Sequence, residues 1–334
     1  MLNLSVVFSV LLLVVFSPAG RISGRTARHT VQPSIRIAVL GFTRSKASVD
    51  SIALELMLTE ALSRDPRVTL IDQSIVRPAT AGFRYDGSIN LSKEEARNLG
   101  AAIGADFFIL GKAEAFTRSD HANESHEQAY AGVMIADGRT GALAAFDFIS
   151  DNAPTREAAK QSLINALAAR ASGYVDRLIQ LNDRKAMRRS SDSAGSAADH
   201  IEVIPAEDSP RSLGFKPPEF LNRVKPEYSP EADLADITAT VEAMAVFGSN
   251  GEIGVIEITR WAGFGLDESA VRAIRQLKFK PATRDGNPIN VRALIRYNFR
   301  RLAEPAGELQ ITPKPPQPER DLRQIFKPTF KPKR

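Results

Sequence analysis

The chain offers few side-chain combinations that could do chemistry. One cluster of potential metal ligands lies in the polar run 120–126, where Asp120, His121, Glu124 and His126 occur within seven residues. Histidine and carboxylate side chains are zinc ligands. The run lies between two predicted strands, however, where a solvated hairpin tip is the more economical interpretation. We therefore predict no metal site.

A second candidate is the sequence Gly263-Phe264-Gly265-Leu266-Asp267, whose glycines could border a bound phosphate. The aromatic between the glycines and the short helical pattern after them fit the start of a helix better. The sequence contains no Walker A motif, no Gly-x-Ser-x-Gly elbow, no Gly-x-Gly-x-x-Gly after a strand and no His-Glu-x-x-His. We predict no catalytic residue and no cofactor, and interpret the protein as a non-enzyme.

Composition narrows the classes further. None of the 334 residues is cysteine, which excludes disulfides, cysteine-bound metals and lipid attachment through cysteine. A content of 43% hydrophobic and 25% charged residues is typical of soluble globular proteins. Lys and Arg equal Asp and Glu over 1–214 at 24 each, whereas the counts are 13 and 11 for 215–301 and 7 and 4 for 302–334. The net charge of +5 therefore arises in the last third of the chain.

The N-terminal residues have a pattern that predicts an export signal. Residues 4–19 form an uncharged apolar run, followed by Arg21, Arg25 and Arg28. Sixteen residues lie between the length of a signal-peptide core and that of a membrane-spanning helix, and small residues precede Gly20. The segment is either a cleaved signal peptide within 1–19 or a single inner-membrane anchor at 4–19. Both alternatives place the rest of the protein in the periplasm.

Two further segments have the composition of unfolded chain. Residues 183–214 are rich in Ser, Ala, Asp and Arg, which predicts a flexible linker whose ends lie roughly 30 Å apart. Residues 302–334 contain seven prolines, which predicts a disordered, basic, extended tail. Two candidate domains remain, at 34–182 and 215–301.

The first candidate domain alternates strand and helix patterns. The run Ile35 to Phe42 predicts a buried strand, and Leu54, Leu58 and Leu62 recur at helical spacing after it. Ser92 with Glu95 predicts a capping box. Residues 137–141 predict a tight hairpin turn. We predict an α/β domain with a mixed sheet.

The sequence of this candidate domain resembles those of the CsgG-like and TolB-N-like envelope domains. The resemblance lies in IAVLGF at 37–42, the helix and strand at 58–76, the strand region 99–113 and the ADGRTGA turn at 136–142. Members that form secretion pores carry a lipidated cysteine. This chain has none, which argues against a pore.

The second candidate domain has a sharper pattern. Alternation over 237–247 predicts a half-buried strand, Gly248 to Gly251 predicts a hairpin turn, and 253–259 predicts the returning strand. Residues 266–277 follow with one apolar helical face, and 291–299 form a last strand. We predict a small α+β domain in the order strand, strand, helix, strand.

The sequence of the second candidate domain resembles the C-terminal domain of TonB-family energy transducers. The resemblance runs through 224–232, the hairpin 247–258, the segment 263–291 and the closing strand 292–299. Ser229 separates a tyrosine and a proline that are usually adjacent in the family, and Leu277 replaces a common aromatic. In the usual layout an anchor and a Pro-rich spacer precede this domain, whereas here a folded domain precedes it and the Pro-rich segment follows.

The resemblance implies how the domain binds. A terminal strand at a sheet edge can accept an extended peptide as an additional strand, and TonB C-terminal domains pair in this way with outer-membrane receptors. Tyr228 is either a partner contact or a core anchor. The arginines of the last strand either attract an acidic partner or only keep the edge soluble. The predicted partner-binding residues are Pro226, Glu227, Tyr228, Val291, Arg292, Ala293, Leu294, Ile295, Arg296, Tyr297, Asn298 and Phe299.

The resulting hypothesis is a periplasmic TonB-family protein that transduces energy or acts as a coupling adaptor in envelope transport. Its partners would be an outer-membrane receptor or another envelope protein and, if residues 4–19 stay in the membrane, inner-membrane motor proteins. We expect no nucleic-acid partner, because the protein is exported and its charge is modest. The alternatives are an outer-envelope assembly factor in which the CsgG-like domain dominates, and an enzyme or small-ligand sensor.

Overall fold

A computed structural model describes residues 34–43, 51–119, 125–191, 201–205 and 212–300. The predicted signal or anchor at 4–19, most of the polar run 120–126 and the tail 302–334 lie outside these residues. No helix in the described part of the chain combines the length and the apolar character needed to cross a membrane.

The first domain is a five-stranded sheet with four helices. Its elements are β1 (Ile35–Thr43), α1 (Ser51–Ser63), β2 (Val68–Leu70), α2 (Gln73–Gly82), α3 (Lys93–Ile103), β3 (Phe107–Ser119), β4 (Ser125–Asp137), β5 (Leu143–Ala153) and α4 (Arg156–Ser191). The strand order is β2-β1-β3-β4-β5. β1 pairs in parallel with β2 and β3, whereas β3, β4 and β5 pair antiparallel. The predicted mixed sheet is confirmed.

Local sequence signals set the ends of α3. The Ser92 hydroxyl accepts from the backbone N–H of Glu95 at 3.1 Å, and the Glu95 carboxylate accepts from the Ser92 N–H at 2.7 Å. This capping box satisfies two amide donors that the first turn leaves unpaired. Gly104 ends the helix in the left-handed conformation. The capping box predicted from the sequence is therefore confirmed.

Helices of the same domain cover one face of the first sheet. Leu54, Leu58 and Leu62 of α1 are buried there, as are Leu163 and Leu167 of α4. Their four-residue spacing forms a single apolar stripe on each helix, which packs against alternate residues of the central strands. This half of the domain is an ordinary helix-on-sheet core.

The segment 183–214 differs from the predicted flexible linker at two places. Helix α4 continues to Ser191, over a stretch rich in Lys, Arg, Ala and Met, all good helix formers. Farther on, β6 (Ile201–Val203) pairs in parallel with 290–292. Glu202 of β6 forms an ion pair with Arg284, which attaches this segment to the second domain.

The second domain contains the predicted strand, strand, helix, strand order with short additions. Its elements are β7 (Phe215–Lys216), β8 (Glu219–Phe220), α5 (Pro230–Leu234), β9 (Ala239–Phe247), β10 (Ile253–Arg260), α6 (Leu266–Arg275), β11 (Phe279–Lys280), β12 (Ala282–Arg284) and β13 (Asn287–Phe299). The main sheet has the order β10-β9-β13-β12-β7, and β11 pairs with β8. The predicted α+β class is confirmed.

The two domains share a core. The face of the first sheet opposite α1 and α4 packs against α2 and α3, and also against α5 and the loop 261–265 of the second domain. Phe264 is fully buried, and its ring lies 4.9 Å from that of Phe146 and 5.9 Å from that of Phe148. A Cβ at Gly132 would collide with the Phe264 ring, so only glycine permits this approach.

Polar contacts tie the shared core together. The Asn90 side-chain amide donates to the carbonyls of Thr240 at 2.9 Å and Trp261 at 2.8 Å, and its oxygen accepts from the Thr240 N–H at 3.0 Å. The Trp261 indole N–H donates to the Gly141 carbonyl at 3.0 Å. The second domain is thus fixed on the first, not suspended from a flexible linker.

Candidate partner-binding site

β13 has one open side in its second half. It pairs antiparallel with β9 over 291–299. On the other side, β12 covers 287–289 and β6 covers 290–292. Among the described strands none covers 293–299 on that side, so backbone groups there are available for an added strand.

Side chains of β13 alternate between core and solvent. Val291, Ala293 and Phe299 are buried, and Ile295 and Tyr297 are half-buried. On the opposite face Arg292, Leu294, Arg296, Asn298 and the following Arg300 are exposed. The apolar and arginine-bearing faces predicted from the alternation are thus observed.

A groove lies beside the end of β13. The segment 223–228 runs along it, and the groove, which is open to solvent, has a volume of about 680 Å³. The groove is lined by Arg223, Val224, Lys225, Pro226, Glu227, Tyr228, Asp233, Tyr297, Asn298, Phe299 and Arg300. Extended peptides bind through backbone pairing and through pockets for alternate side chains, and this arrangement offers both.

Tyr228 lines this groove and also packs against the core. Its ring centroid is 6.3 Å from that of Phe299, and its hydroxyl donates to the carbonyl of Ile237. The next residue, Ser229, caps α5 by accepting from the Ala232 N–H at 3.1 Å, and its hydroxyl donates to the Phe264 carbonyl. The two roles considered for Tyr228 are therefore compatible, because one side chain contacts both the core and the groove.

The electrostatics of the groove are mixed, with charges at its rim. Arg223, Lys225, Glu227, Asp233 and Arg300 are all exposed. Within the groove, partial burial raises the pKa of the Tyr297 phenol above its ordinary value, so this hydroxyl stays neutral. The groove can therefore offer apolar contact and neutral hydrogen bonding inside and charge pairing at its margin.

In the arginine row, Arg296 has a partner. Its guanidinium lies 2.6 Å from the Glu242 carboxylate on the neighbouring strand β9. An exposed pair of this kind contributes about 0.2–1 kcal/mol and restrains the side chain. Arg296 therefore contributes less free charge to a partner than the sequence pattern alone indicates.

The described residues contain no group of three or more potential metal-ligating side chains. His126 lies in β4, opposite Arg118 of β3, whereas 120–124 lie outside the described residues. The sequence Gly263–Asp267 begins a helix. Its Asp267 carboxylate accepts from the N–H groups of Ala262 and Gly263, both at 2.9 Å.

Residues 224–300 match the family model of the Gram-negative bacterial TonB protein C-terminal domain. The second domain is TonB-like. The resemblance noted in the sequence is thereby confirmed for this domain, and the match indicates a protein of the bacterial envelope. The family is a non-enzymatic one. The match covers less than a quarter of the chain and does not extend to the first domain.

Solved structures give weaker similarities, and no curated protein sequence matches the chain. The TonB C-terminal domain of Pseudomonas aeruginosa is 17% identical, with a TM-score of 0.24, over 32% of this chain and 98% of that one. The hypothetical protein CT253 from Chlamydia trachomatis is 18% identical, with a TM-score of 0.32, over 42% and 98%. The LpoB C-terminal domain from Salmonella enterica is 14% identical, with a TM-score of 0.27, over 37% and 86%.

The TonB-like domain brings together half of the predicted contact residues. Pro226, Glu227 and Tyr228 line one groove with Tyr297, Asn298 and Phe299, although 68 residues separate the two sets. Ala293, Leu294, Ile295 and Arg296 lie along the open side of the same strand.

Two predicted residues require correction, because β13 is not an edge strand along its whole length. At Val291 and Arg292 the side away from β9 is already covered by β6. The cause is the short alternating sequence at 201–203, which lies in a segment predicted to be linker. Among the described strands, the side of β13 away from β9 is therefore open only at 293–299.

Sequence reasoning also missed groove residues. Arg223, Val224 and Lys225 line the groove directly before the predicted Pro226, and Asp233 and Arg300 complete its rim. Chain continuity could have indicated the first three and Arg300, since each adjoins a predicted segment. Asp233 could be placed only once the position of α5 was known.

Proposed function

We propose that this protein is a non-enzymatic periplasmic adaptor of the TonB family, which couples envelope components during transport by binding an extended segment of a partner through β13. The observation that supports it most directly is the open side of β13 at 293–299, next to a groove built from 223–228. The partner is an outer-membrane receptor or another envelope protein, and no nucleic acid or cofactor takes part.

Strand addition accounts for the shape of the site. Backbone donors and acceptors on the open side supply sequence-independent pairing, which orients the incoming segment along β13. Tyr228 and Tyr297 present rings to one side of that segment, whereas the charged rim meets its polar side chains. Affinity then arises largely from the backbone, and specificity from the groove.

The first domain has a mechanical role in this proposal. Because the domains share a core, a load applied at the start of β1 reaches β13 through packed side chains rather than through a slack linker. If residues 4–19 remain in the membrane, inner-membrane motor proteins can pull on this path. If they are removed, the protein is an adaptor that holds a partner at a fixed position on the first domain.

The same shared core supports a second candidate function. In an outer-envelope assembly factor, the first domain would make the principal contacts and the TonB-like domain would serve only to dock it. The rigid attachment suits such a scaffold as well as it suits an adaptor. N-terminal sequencing of the mature protein tests whether it is a direct transducer. A chain that begins near Gly20 contradicts the direct transducer, whereas a chain that retains 4–19 supports it.

Strand addition is tested on the full chain with a display library of random 12-residue peptides. We expect selected peptides to bind in the micromolar range. Synthetic versions carrying one N-methyl group each should lose binding at every second position, because only alternate amides face β13. Equal effects at all positions, or none, would contradict strand addition. Methylation leaves the protein unchanged, which makes this test cleaner than Ile295→Pro, since Ile295 packs against the core.

A further inference from the structure

A second cavity continues the groove onto the first domain. It has a volume of about 440 Å³ and is lined by Pro230, Asp233 and Leu234 of α5 and by Phe116 and Arg118 of β3. Asp233 lines both cavities. The surface beside β13 therefore extends past α5 to the far end of the β3–β4 hairpin.

The two halves of this surface are held in register. The carbonyl of Ala235, at the end of α5, accepts from the Lys112 ammonium at 2.7 Å and from the Tyr130 hydroxyl at 3.2 Å. The Phe116 ring packs edge-on against that of Tyr130, with centroids 6.2 Å apart. These contacts fix β3 against α5, so the continuous surface is a preformed one.

The charge along this surface favours acidic ligands. Its exposed cations are Arg118, Arg223, Lys225 and Arg300, against the exposed carboxylates of Glu227 and Asp233. No carboxylate among the described residues lies within ion-pair distance of any of these four cations. Arg118 has one long hydrogen bond, 3.4 Å to the amide oxygen of Gln128. An incoming carboxylate would therefore not compete with an existing ion pair among the described residues.

We propose that Phe116 and Arg118 of the first domain belong to the partner-binding site, and that they select an extended segment with acidic side chains beyond the part that pairs with β13. This inference rests on the proposed strand addition. Phe116 supplies an apolar contact and Arg118 a charge-assisted hydrogen bond, so the first domain contributes specificity in addition to support.

The chain's own tail is the less suitable occupant. Residues 302–334 carry seven basic and four acidic residues, and therefore add positive charge to a surface that is already cationic. A partner segment with several Asp or Glu residues is attracted to this surface, whereas the basic tail is repelled by it.

The test uses peptides selected by the full chain and a charge reversal at Arg118. We expect the selected 12-residue peptides to be enriched in Asp and Glu at one end. Arg118→Glu should weaken a representative acidic peptide about fivefold at low salt, and this difference should vanish near 0.5 M salt. Arg77→Glu, at an exposed position on α2 outside both cavities, should leave the affinity unchanged.

The outcomes separate this inference from the proposed function. If peptides show the alternating N-methyl pattern but carry no acidic bias and bind Arg118→Glu as they bind the wild type, the inference is overturned and strand addition stands. If no peptide shows the pattern, both fail. If peptides bind only after 302–334 are deleted, the tail is the occupant and the inference is likewise overturned. A control peptide with its acidic residues changed to Gln should bind the wild type and Arg118→Glu equally.

Discussion

The two faces of the first sheet are covered by different means. One face packs against α1 and α4, which belong to the same domain. The other packs against α2 and α3 and then against Trp261 and Phe264, which belong to the TonB-like domain. The first domain therefore lacks part of its own cover. The contrast indicates that the two domains are a single folding unit, and each prediction below tests that idea.

The largest effect is expected from Phe264→Ala. The ring is fully buried between the domains, so its removal should lower the free energy of unfolding by about 3–5 kcal/mol. Trp261 is the only tryptophan in the chain and is 1% exposed at the same interface, so its fluorescence reports on docking. In urea, the fluorescence and circular dichroism transitions of this variant should shift together.

Leu58→Ala is the matched control on the other face. Leu58 is fully buried against α1's own sheet, so its loss should cost about 2–5 kcal/mol. If the domains form one unit, this change moves the Trp261 fluorescence transition as well, although Leu58 lies on the opposite face of the sheet. If Leu58→Ala leaves the urea midpoint of the Trp261 fluorescence unchanged, the domains unfold independently.

The shared core lay beyond the reach of sequence patterns for a physical reason. β1, β3 and β4 contain near-continuous apolar runs, which indicate burial on both faces but not which element supplies the cover. Phe264 could be assigned to a helix-start turn, because its neighbours are glycines, but not to a contact with Gly132. Short-range signals such as the Ser92 capping box were predictable because all their atoms lie within one turn.

The candidate site shows the same division. Tyr228 and Tyr297 could be placed in one site because the TonB resemblance includes both segments. Phe116 and Arg118 carried no such signal, since they lie in a different domain more than 100 residues earlier. Only the packing of α5 against β3 brings them to the groove.

Asn90→Ala should produce the next largest loss. Its side chain satisfies two carbonyls and one N–H of the TonB-like domain, so alanine leaves three buried or half-buried groups without their partner. We expect a loss of about 2–3 kcal/mol in the free energy of unfolding. Asn98→Ala, at an exposed position on α3, should change it by less than about 0.5 kcal/mol. Equal effects from Asn90→Ala and Asn98→Ala would show that the hydrogen bonds of Asn90 do not stabilise the docking of the two domains.

Asp267 should make the shared face sensitive to pH. Burial raises the pKa of its carboxyl to about 6, despite two backbone N–H groups that favour the ionised form. The folded state therefore binds the proton more tightly than the unfolded state, whose pKa is about 3.9. The stabilisation is fully present below about pH 4 and is lost as the pH rises to about 6, by on the order of 3 kcal/mol.

Asp267→Asn isolates this contribution. Urea midpoints of the wild type also include carboxylates with lowered pKa, such as Asp106, whose effect has the opposite sign. The difference between wild type and variant should therefore change across pH 4–6 and be constant from pH 7 to 8. A constant difference over the whole range would mean that the Asp267 carboxyl has an ordinary pKa. Burial beside the loop 261–264 would then not disfavour its charged form.

The smallest predicted effect, Gly173→Ala, tests the coupling from the opposite direction. Gly173 lies inside α4, and a Cβ there would meet no atom within 4 Å. Alanine should therefore stabilise the helix by about 0.5–1 kcal/mol through its better helix propensity. Gly87→Ala is the control, because that site is equally open but has a φ of +88°, where alanine is strained and should destabilise. Helix α4 covers only the face of the first sheet that is remote from the TonB-like domain. If the two domains are a single folding unit, Gly173→Ala should therefore also raise the urea midpoint measured by Trp261 fluorescence. A midpoint unchanged within error would show that stabilising one face of the sheet does not stabilise the other.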